Sequence, residues 1–504
     1  MSQKLLLIRN VAWNWAGMIC DAATAFLLMP FLIHRLGEGG YGTWVLIGTL
    51  SSYFGMLDLG VRGSVGRYVA YHRAREDEAA LGAMLSTALL VAVAAGLITL
   101  LATLGLPALF LRVFDVPADQ VGAVRVSLLL IGVNIALSFP LGLFDGVLWG
   151  HQRFDLLNVI EVPTTVLRAV LTIAVVAGGY GIVGLAAMTL FLAALSGAAK
   201  AIVSLREMPG LRFSLAGCTR ASARELVSYG VSNLLINVAR MIRAEVSPAL
   251  IGSLVGLPAV TFYAVGKRFI DYTERVIFAA TGVVTPLTTS LHASGREDEQ
   301  RDLLLVGGRY CLMMTAFVTG GLILLGRPLI ILWLGGRMAG AATLLTILAL
   351  GEIIPLSQSV SATVLLGMAR HRILAWFGFL EVGLGACLAW LLVGSQGLVG
   401  VCIAIAVSGA LCRGVTLLFA SCRLLGIPFA EYLLGAVAPT AAVAIPVMLA
   451  SAFAIGAVPP DSWLLFLGQS GFYAVLFALG SLAIIKPEHR LLLFGRIRKK
   501  PVPA

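Results

Sequence analysis

Apolar runs of about 20 residues or more, each long enough to cross a bilayer core as a helix, recur about fourteen times along the chain. They begin near residues 10, 41, 82, 122, 156, 181, 228, 259, 304, 340, 373, 397, 431 and 462, with short polar stretches between them. The pattern predicts an all-α polytopic membrane protein. Its basic residues crowd every second connection: Arg62, Arg67, Arg73 and Arg75; Arg153; Lys200, Arg206, Arg212, Arg220 and Arg224; Arg296, Arg301 and Arg309; Arg370 and Arg372; Arg423. The intervening connections hold Arg35, Arg112, Arg327 and Arg337. Positive charge stays on the cytoplasmic side, so both termini are expected there and the number of passes is even.

Composition agrees. Of 504 residues, 59% are hydrophobic and 12% charged, a balance that excludes a soluble globular domain. The net charge of +11 does not indicate nucleic acid, because the cations alternate with the predicted passes and the last of them, Arg496 to Lys500, form a basic tail suited to anionic lipid. Cys20, Cys311, Cys387, Cys402 and Cys412 lie inside apolar runs and Cys218 and Cys422 on the cytoplasmic side, so no disulfide framework is expected. The first run is longer than a signal-peptide core and is read as a retained pass. No metal-ligand spacing, nucleotide-binding loop or nucleophile–base arrangement stands out, which points away from catalysis, cofactors and metals.

The second half restates the first. PFLIHRLGEGGYGTW from Pro30 aligns with PALIGSLVGLPAVTF from Pro248, GVLWGHQRF from Gly146 with TVLLGMARH from Thr363, GIVG at Gly181 with GLVG at Gly397, and MPGLRF at Met208 with LLGIPF at Leu424. A near-constant offset is the mark of duplication. It predicts an N-terminal lobe over 1–214, a C-terminal lobe over 215–430, two additional passes over 431–485 and a cytoplasmic tail over 486–504. Each lobe holds six passes and enters the membrane the same way round. The lobes should therefore be related by a pseudo-two-fold axis along the membrane normal, with a site between them at mid-depth. Pro30 and Pro248 are expected to bend the first helix of each half.

Charge inside the apolar runs is the candidate chemistry. Two long segments between about 228 and 291 meet in a short turn, Gly252 to Pro258, yet carry Arg240, Arg243, Glu245, Lys267, Arg268, Asp271, Glu274 and Arg275. Folded antiparallel, they set Glu245 level with Lys267 and Arg268, Arg243 with Asp271, and Arg240 with Glu274. Lys267, Asp271 and Arg275 recur every four residues and share a helix face. Five cations against three anions leave an excess of positive charge that an anionic ligand would balance. The duplicated positions in the first half are Ala22, Ala25, Thr49, Tyr53 and Leu57 for Arg240, Arg243, Lys267, Asp271 and Arg275, so the charge belongs to one half alone. Asp21, Glu352 and Glu381 also fall well inside apolar runs and are candidates for ion coupling. Elsewhere, Asp58 is placed to pair with Arg62 and Asp145 with Arg153, Arg168 to turn inward, and Arg413 to snorkel toward the cytoplasmic end of its pass.

The stretch RNVAWNWAGMICDAATAFLLMPFLIHRLGEGGYGTWVLIGTLSSYFGMLDLGVRGSVGRYVA, Arg9 to Ala70, resembles the start of bacterial polysaccharide flippases of the Wzx type, in the multidrug/oligosaccharidyl-lipid/polysaccharide exporter superfamily. The likeness continues less specifically through the twelfth run, including the glycine and arginine at Gly150 and Arg153 and at Gly367 and Arg370. It implies two six-helix lobes around a cavity open alternately to either side of the bacterial inner membrane. It also implies a substrate, an oligosaccharide on undecaprenyl diphosphate, and a non-enzymatic role alongside polysaccharide polymerase and assembly proteins. A monomer suffices, since one chain contains both lobes. The competing readings are a drug exporter of the same superfamily, whose cavity should be acidic, and an enzyme or scaffold of polysaccharide assembly.

Overall fold

The structure is a computed structural model that describes residues 3–55, 61–208, 241–243, 245–282 and 284–485 together with 214, 218 and 224; the side chains of 3–21, 55, 61–63 and 371 stand outside that description. Asp58, the whole of Arg240, the tail 486–504 and the part of the run from about 228 to 240 thus lie outside the described residues, as do the side chains of Asp21 and Arg62. Among the described residues the elements are helices, and nine are long and apolar enough to cross a membrane, or ten if the bent pair Leu257–Thr281 and Val284–Ala293 is one pass.

The chain forms two compact units, Met1–Thr261 and Phe262–Ala504. The lobe boundary expected after residue 214 adjoins 215–217, outside the described residues. In the first unit, α1 (Gln3–Gly55), α2 (Val61–Arg73), α3 (Glu78–Val113), α4 (Val121–Gly150), α5 (Phe154–Ala177) and α6 (Gly181–Glu207) follow one another. Helix α4 is central, packed on α2, α3 and α6, while α5 lies on α1 and α6. Small residues permit the close approaches. A Cβ added at Gly96 would sit 2.6 Å from the Ala136 carbonyl oxygen, and one at Gly150 2.6 Å from that of Gly66. Helix α3 is started by Asp77, whose carboxylate accepts the Ala80 N–H at 2.9 Å.

Helix α1 contains Pro30, but its backbone leaves helical geometry at Gly37 (φ 73°, ψ 169°). The physical reason is that proline still accepts helical φ and costs one hydrogen bond and a local bend, whereas a positive φ is strained for residues with a Cβ and suits glycine. The turn expected over Gly252 to Pro258 is present, with Gly256 at φ 119° and its N–H reaching the Ile251 carbonyl at 3.1 Å.

In the second unit the principal helices are α7 (Leu257–Thr281), whose first turn belongs to the first unit, α8 (Val284–Ala293), α9 (Gly308–Leu334), α10 (Ala339–Ser357), α11 (Ser359–Gly367), α12 (His371–Gly409), α13 (Leu417–Leu424), α14 (Ala438–Ala457) and α15 (Trp463–Ile484). Helix α12 also departs from helical geometry, at Gly397, and passes through a π-helical turn, Ala410–Thr416, into α13. Helices α14 and α15 pack on α9. There Tyr473 stacks on Phe317 at 5.6 Å and donates its hydroxyl to the Phe317 carbonyl at 2.8 Å.

The two halves also repeat specific turns. Gln152 and Ala369, neither a glycine, both adopt φ 57°. In one turn Arg153 N–H reaches back to the Leu148 carbonyl at 3.0 Å, and in the other Arg370 N–H reaches Leu365 at 2.8 Å. Glu76 and Gly295 share a second such turn at φ 57° and 67°, and Gly181 and Gly397 a third position at 53° and 56°.

Candidate functional site

Helix α7 is amphipathic. Tyr263, Ile270, Thr273 and Ile277 are buried, Gly266 lies where a Cβ would meet the Leu345 backbone nitrogen at 3.1 Å, and Phe269 meets Trp333 edge to face at 5.5 Å. That packing fixes α7 against α9 and α10 and leaves a charged stripe on another face. Lys267 and Asp271 form the ion pair that their four-residue spacing predicts. Arg268 and Glu274 are half-buried, and Arg275 is exposed, its guanidinium 5.7 Å from the Tyr272 ring centroid. In the first unit, Arg243 and Glu245 are half-buried and Glu245 lies within electrostatic range of Tyr53. The cross-turn pairings expected between α7 and Arg243 or Glu245 concern both units and remain a proposal. Asp21 lies on the α1 backbone.

The interior of the second unit brings Glu352 and Glu381 together on Arg413. From the π-helical turn, Arg413 Nε donates to both carboxylate oxygens of Glu381 at 2.9 Å. Its terminal nitrogens donate to Glu352 Oε1 at 2.6 Å and Oε2 at 3.2 Å. The side chains retain 18% (Arg413), 15% (Glu352) and 6% (Glu381) of their exposure. Glu274 of α7 adds a longer-range attraction to Arg413. Arg413 therefore does not snorkel, because two buried carboxylates hold its planar fork inside the helices. In sequence it stands close enough to a helix end for either outcome. Its partners are 32 and 61 residues away.

The first unit holds a second such cluster that the sequence pattern did not single out. Lys200 of α6 bridges Asp145 of α4, at 2.7 Å, and Glu161 of α5. The Arg153 partner expected for Asp145 is replaced by Lys200; Arg153 instead pairs with Asp155 at 3.1 Å and with Glu207 at 2.5 Å. Lys200 is 7% exposed. Its position deep in the apolar run FLAALSGAAKAIVSL is the signal that could have marked it. Arg168 lies on an exposed face of α5, away from the packed interior of its unit. Both units thus carry a cation that gathers two carboxylates distant from it in sequence. Among the described residues, no group of three or more His, Cys, Asp or Glu side chains is arranged to hold a metal.

At the turn closing α4, Arg73 lies 3.2 Å from His151 Nδ1. Burial first, and the neighbouring Arg73 charge second, hold the His151 imidazole below its ordinary pKa.

This fold, helical throughout the described residues, matches transporters of the MOP superfamily. The lipid II flippase MurJ in an inward closed conformation aligns with a TM-score of 0.75 at 13% identity, covering 96% of this chain and 100% of that one. An inward-facing multidrug resistance MATE transporter aligns with a TM-score of 0.67 at 14% identity, covering 80% and 98%. The profile of the polysaccharide biosynthesis protein family matches residues 7–292, more than half of the chain. The protein belongs to that family. Over 504 aligned residues it is 23% identical to the uncharacterized membrane protein EpsK of Bacillus subtilis (strain 168), covering 97% of this chain and 98% of EpsK. A shorter match of 154 residues, 27% identical, covers 36% of a candidate O-antigen transporter of Shigella flexneri.

Proposed function

We propose that the protein turns an oligosaccharide linked to undecaprenyl diphosphate from the cytoplasmic to the periplasmic leaflet of the bacterial inner membrane, by alternating access, for surface polysaccharide or exopolysaccharide synthesis. Two six-helix lobes with two further passes and both termini inside are the architecture in which it does so, and a single chain is sufficient. The family match and the flippase-type fold support a membrane transporter of this class.

The observation that carries the substrate reading is the charged stripe of α7, half-buried as far as Glu274 on a helix whose other face is packed. Arg240, Arg243, Lys267, Arg268 and Arg275 hold the diphosphate, the arginines by paired N–H donors to its oxygens. Glu245, Asp271 and Glu274 limit the charge of the empty cavity, and the polyprenyl tail stays in lipid. Asp21, Glu352 and Glu381 couple the cycle to an ion. The deciding experiment tracks the sidedness of undecaprenyl-diphosphate-linked glycan in proteoliposomes for the intact protein and for Arg243→Ala. Loss of outward appearance in the variant supports the reading, and equal appearance without any protein overturns it.

A further inference from the structure

With Glu352 and Glu381 taken as coupling groups, the reading on which this inference rests, the geometry of their cluster with Arg413 bears on which ion is exchanged. One carboxylate would satisfy one guanidinium. Here both carboxylates present both oxygens to Arg413, so all four oxygens already accept from the same cation. The single positive charge of Arg413 against the two carboxylates leaves this trio with one negative charge in excess. Uncompensated charge at such depth is costly unless something neutralises it.

Two candidates could do so. A sodium ion needs several oxygens turned toward it at once, but these converge on the guanidinium. That group stands where a metal would sit and would repel it. A proton needs one free lone pair on one oxygen, which the arrangement leaves. It cancels the excess charge and keeps the remaining oxygens as acceptors for Arg413.

The local backbone is shaped around the arginine. Arg413 sits within the π-helical turn Ala410–Thr416, a local widening that re-aims a side chain and recurs at functional positions. Gly409 precedes it where a Cβ would lie 3.1 Å from an Arg413 nitrogen and 3.3 Å from Glu381 Oε1. Among the described residues of this unit, Glu274 from α7 and Cys412 from the same turn also interact electrostatically with the cluster.

We infer that Arg413 is the specificity-determining residue of the coupling site: by filling the cation position between Glu352 and Glu381 it restricts the pair to exchanging a proton and closes it to sodium. In each cycle one proton from water on one side binds a carboxylate oxygen and leaves to the other side. No bond other than O–H forms or breaks.

The test uses the purified full-length protein, with protons and sodium as the probes. Infrared difference spectra on acidification report carboxylic acid formation, and melting temperature is compared in sodium and potassium chloride. The expected result is a carboxylic acid band in the unaltered protein that is the same in both salts and is lost or shifted in Glu352→Gln and in Glu381→Gln. Each single variant keeps one carboxylate for Arg413 and a neutral pair, so both should fold. Arg413→Gln is expected to acquire sodium-dependent stabilisation and sodium competition with the acid band, while Arg413→Lys does not. Sodium-dependent stabilisation of the unaltered protein that disappears in Glu352→Gln or Glu381→Gln overturns the inference. So does an acid band unchanged in both glutamine variants. Glycan sidedness is measured in parallel. Translocation undiminished in both glutamine variants overturns the coupling reading itself, even where the acid band is seen. Absent translocation by the unaltered protein would bear on the substrate alone.

Discussion

His151 lies outside the membrane-crossing helices, where its titration can be followed directly. With its pKa held down in the folded protein, the unfolded chain binds a proton more readily once the pH falls below the ordinary value of 6.5. Stability is therefore retained above that value and declines on acidification. Melting curves between about pH 7 and pH 5 should fall less steeply for His151→Gln than for the unaltered protein. Arg413→Ala should be far more damaging. Removing one member of a buried ion pair costs about 3–5 kcal/mol, and here two carboxylates would lose their partner. A pronounced drop in melting temperature is expected; a surface arginine reaching for the interface would give almost none. That contrast also marks the limit of sequence reading at this scale. Glu352 and Glu381 stood out because acids inside apolar runs are rare, whereas Arg413 and Lys200 did not, because each can reach a helix end and only tertiary packing shows that it turns inward.

Helices were the most legible level. A long apolar run admits one solution in lipid, since every backbone group must be satisfied within the segment. The described helices accordingly begin close to the predicted starts at 82, 122, 156, 181, 304, 340 and 431. The breaks were less legible, as the departure of α1 at Gly37 illustrates, because proline is visible in a sequence while the φ of a glycine is not. The charged stripe of α7 was predicted from its spacing, and the Lys267–Asp271 pair obeys that spacing. How closely two backbones approach could not be read. Gly42 lies where a Cβ would stand 2.0 Å from the Leu257 carbonyl oxygen. Because backbone cannot step aside cheaply, Gly42→Ala should sharply reduce the yield of monodisperse protein on size-exclusion chromatography. A milder change is expected on α15, where Tyr473→Phe removes the hydroxyl bonded to Phe317 and should cost about 1 kcal/mol in an unfolding measurement.

At the scale of the molecule, membrane class and family were legible because composition and scattered glycine positions survive divergence that erases most identity. The identity to MurJ is 13% even though the fold aligns along nearly the whole chain. The confinement of the α7 charges to one half was also visible, by comparison with Thr49, Tyr53 and Leu57. The arginine-centred cluster was not, because its carboxylates stand 32 and 61 residues from Arg413 in sequence. If that cluster couples transport while Arg243 and the α7 stripe bind substrate, Glu352→Gln and Arg243→Ala should fail differently. The first should abolish the response of glycan sidedness to a pH gradient, and the second should abolish translocation with or without one.

The paired turns at Gln152 and Ala369 have a practical consequence. Each keeps a side chain where a left-handed backbone costs an L-residue about 1–2 kcal/mol, partly offset when glycine replaces it by glycine's greater freedom in the unfolded chain. One polypeptide therefore carries a built-in replicate: glycine installed at either site asks the same question in two surroundings, and any difference between the answers measures the surroundings alone.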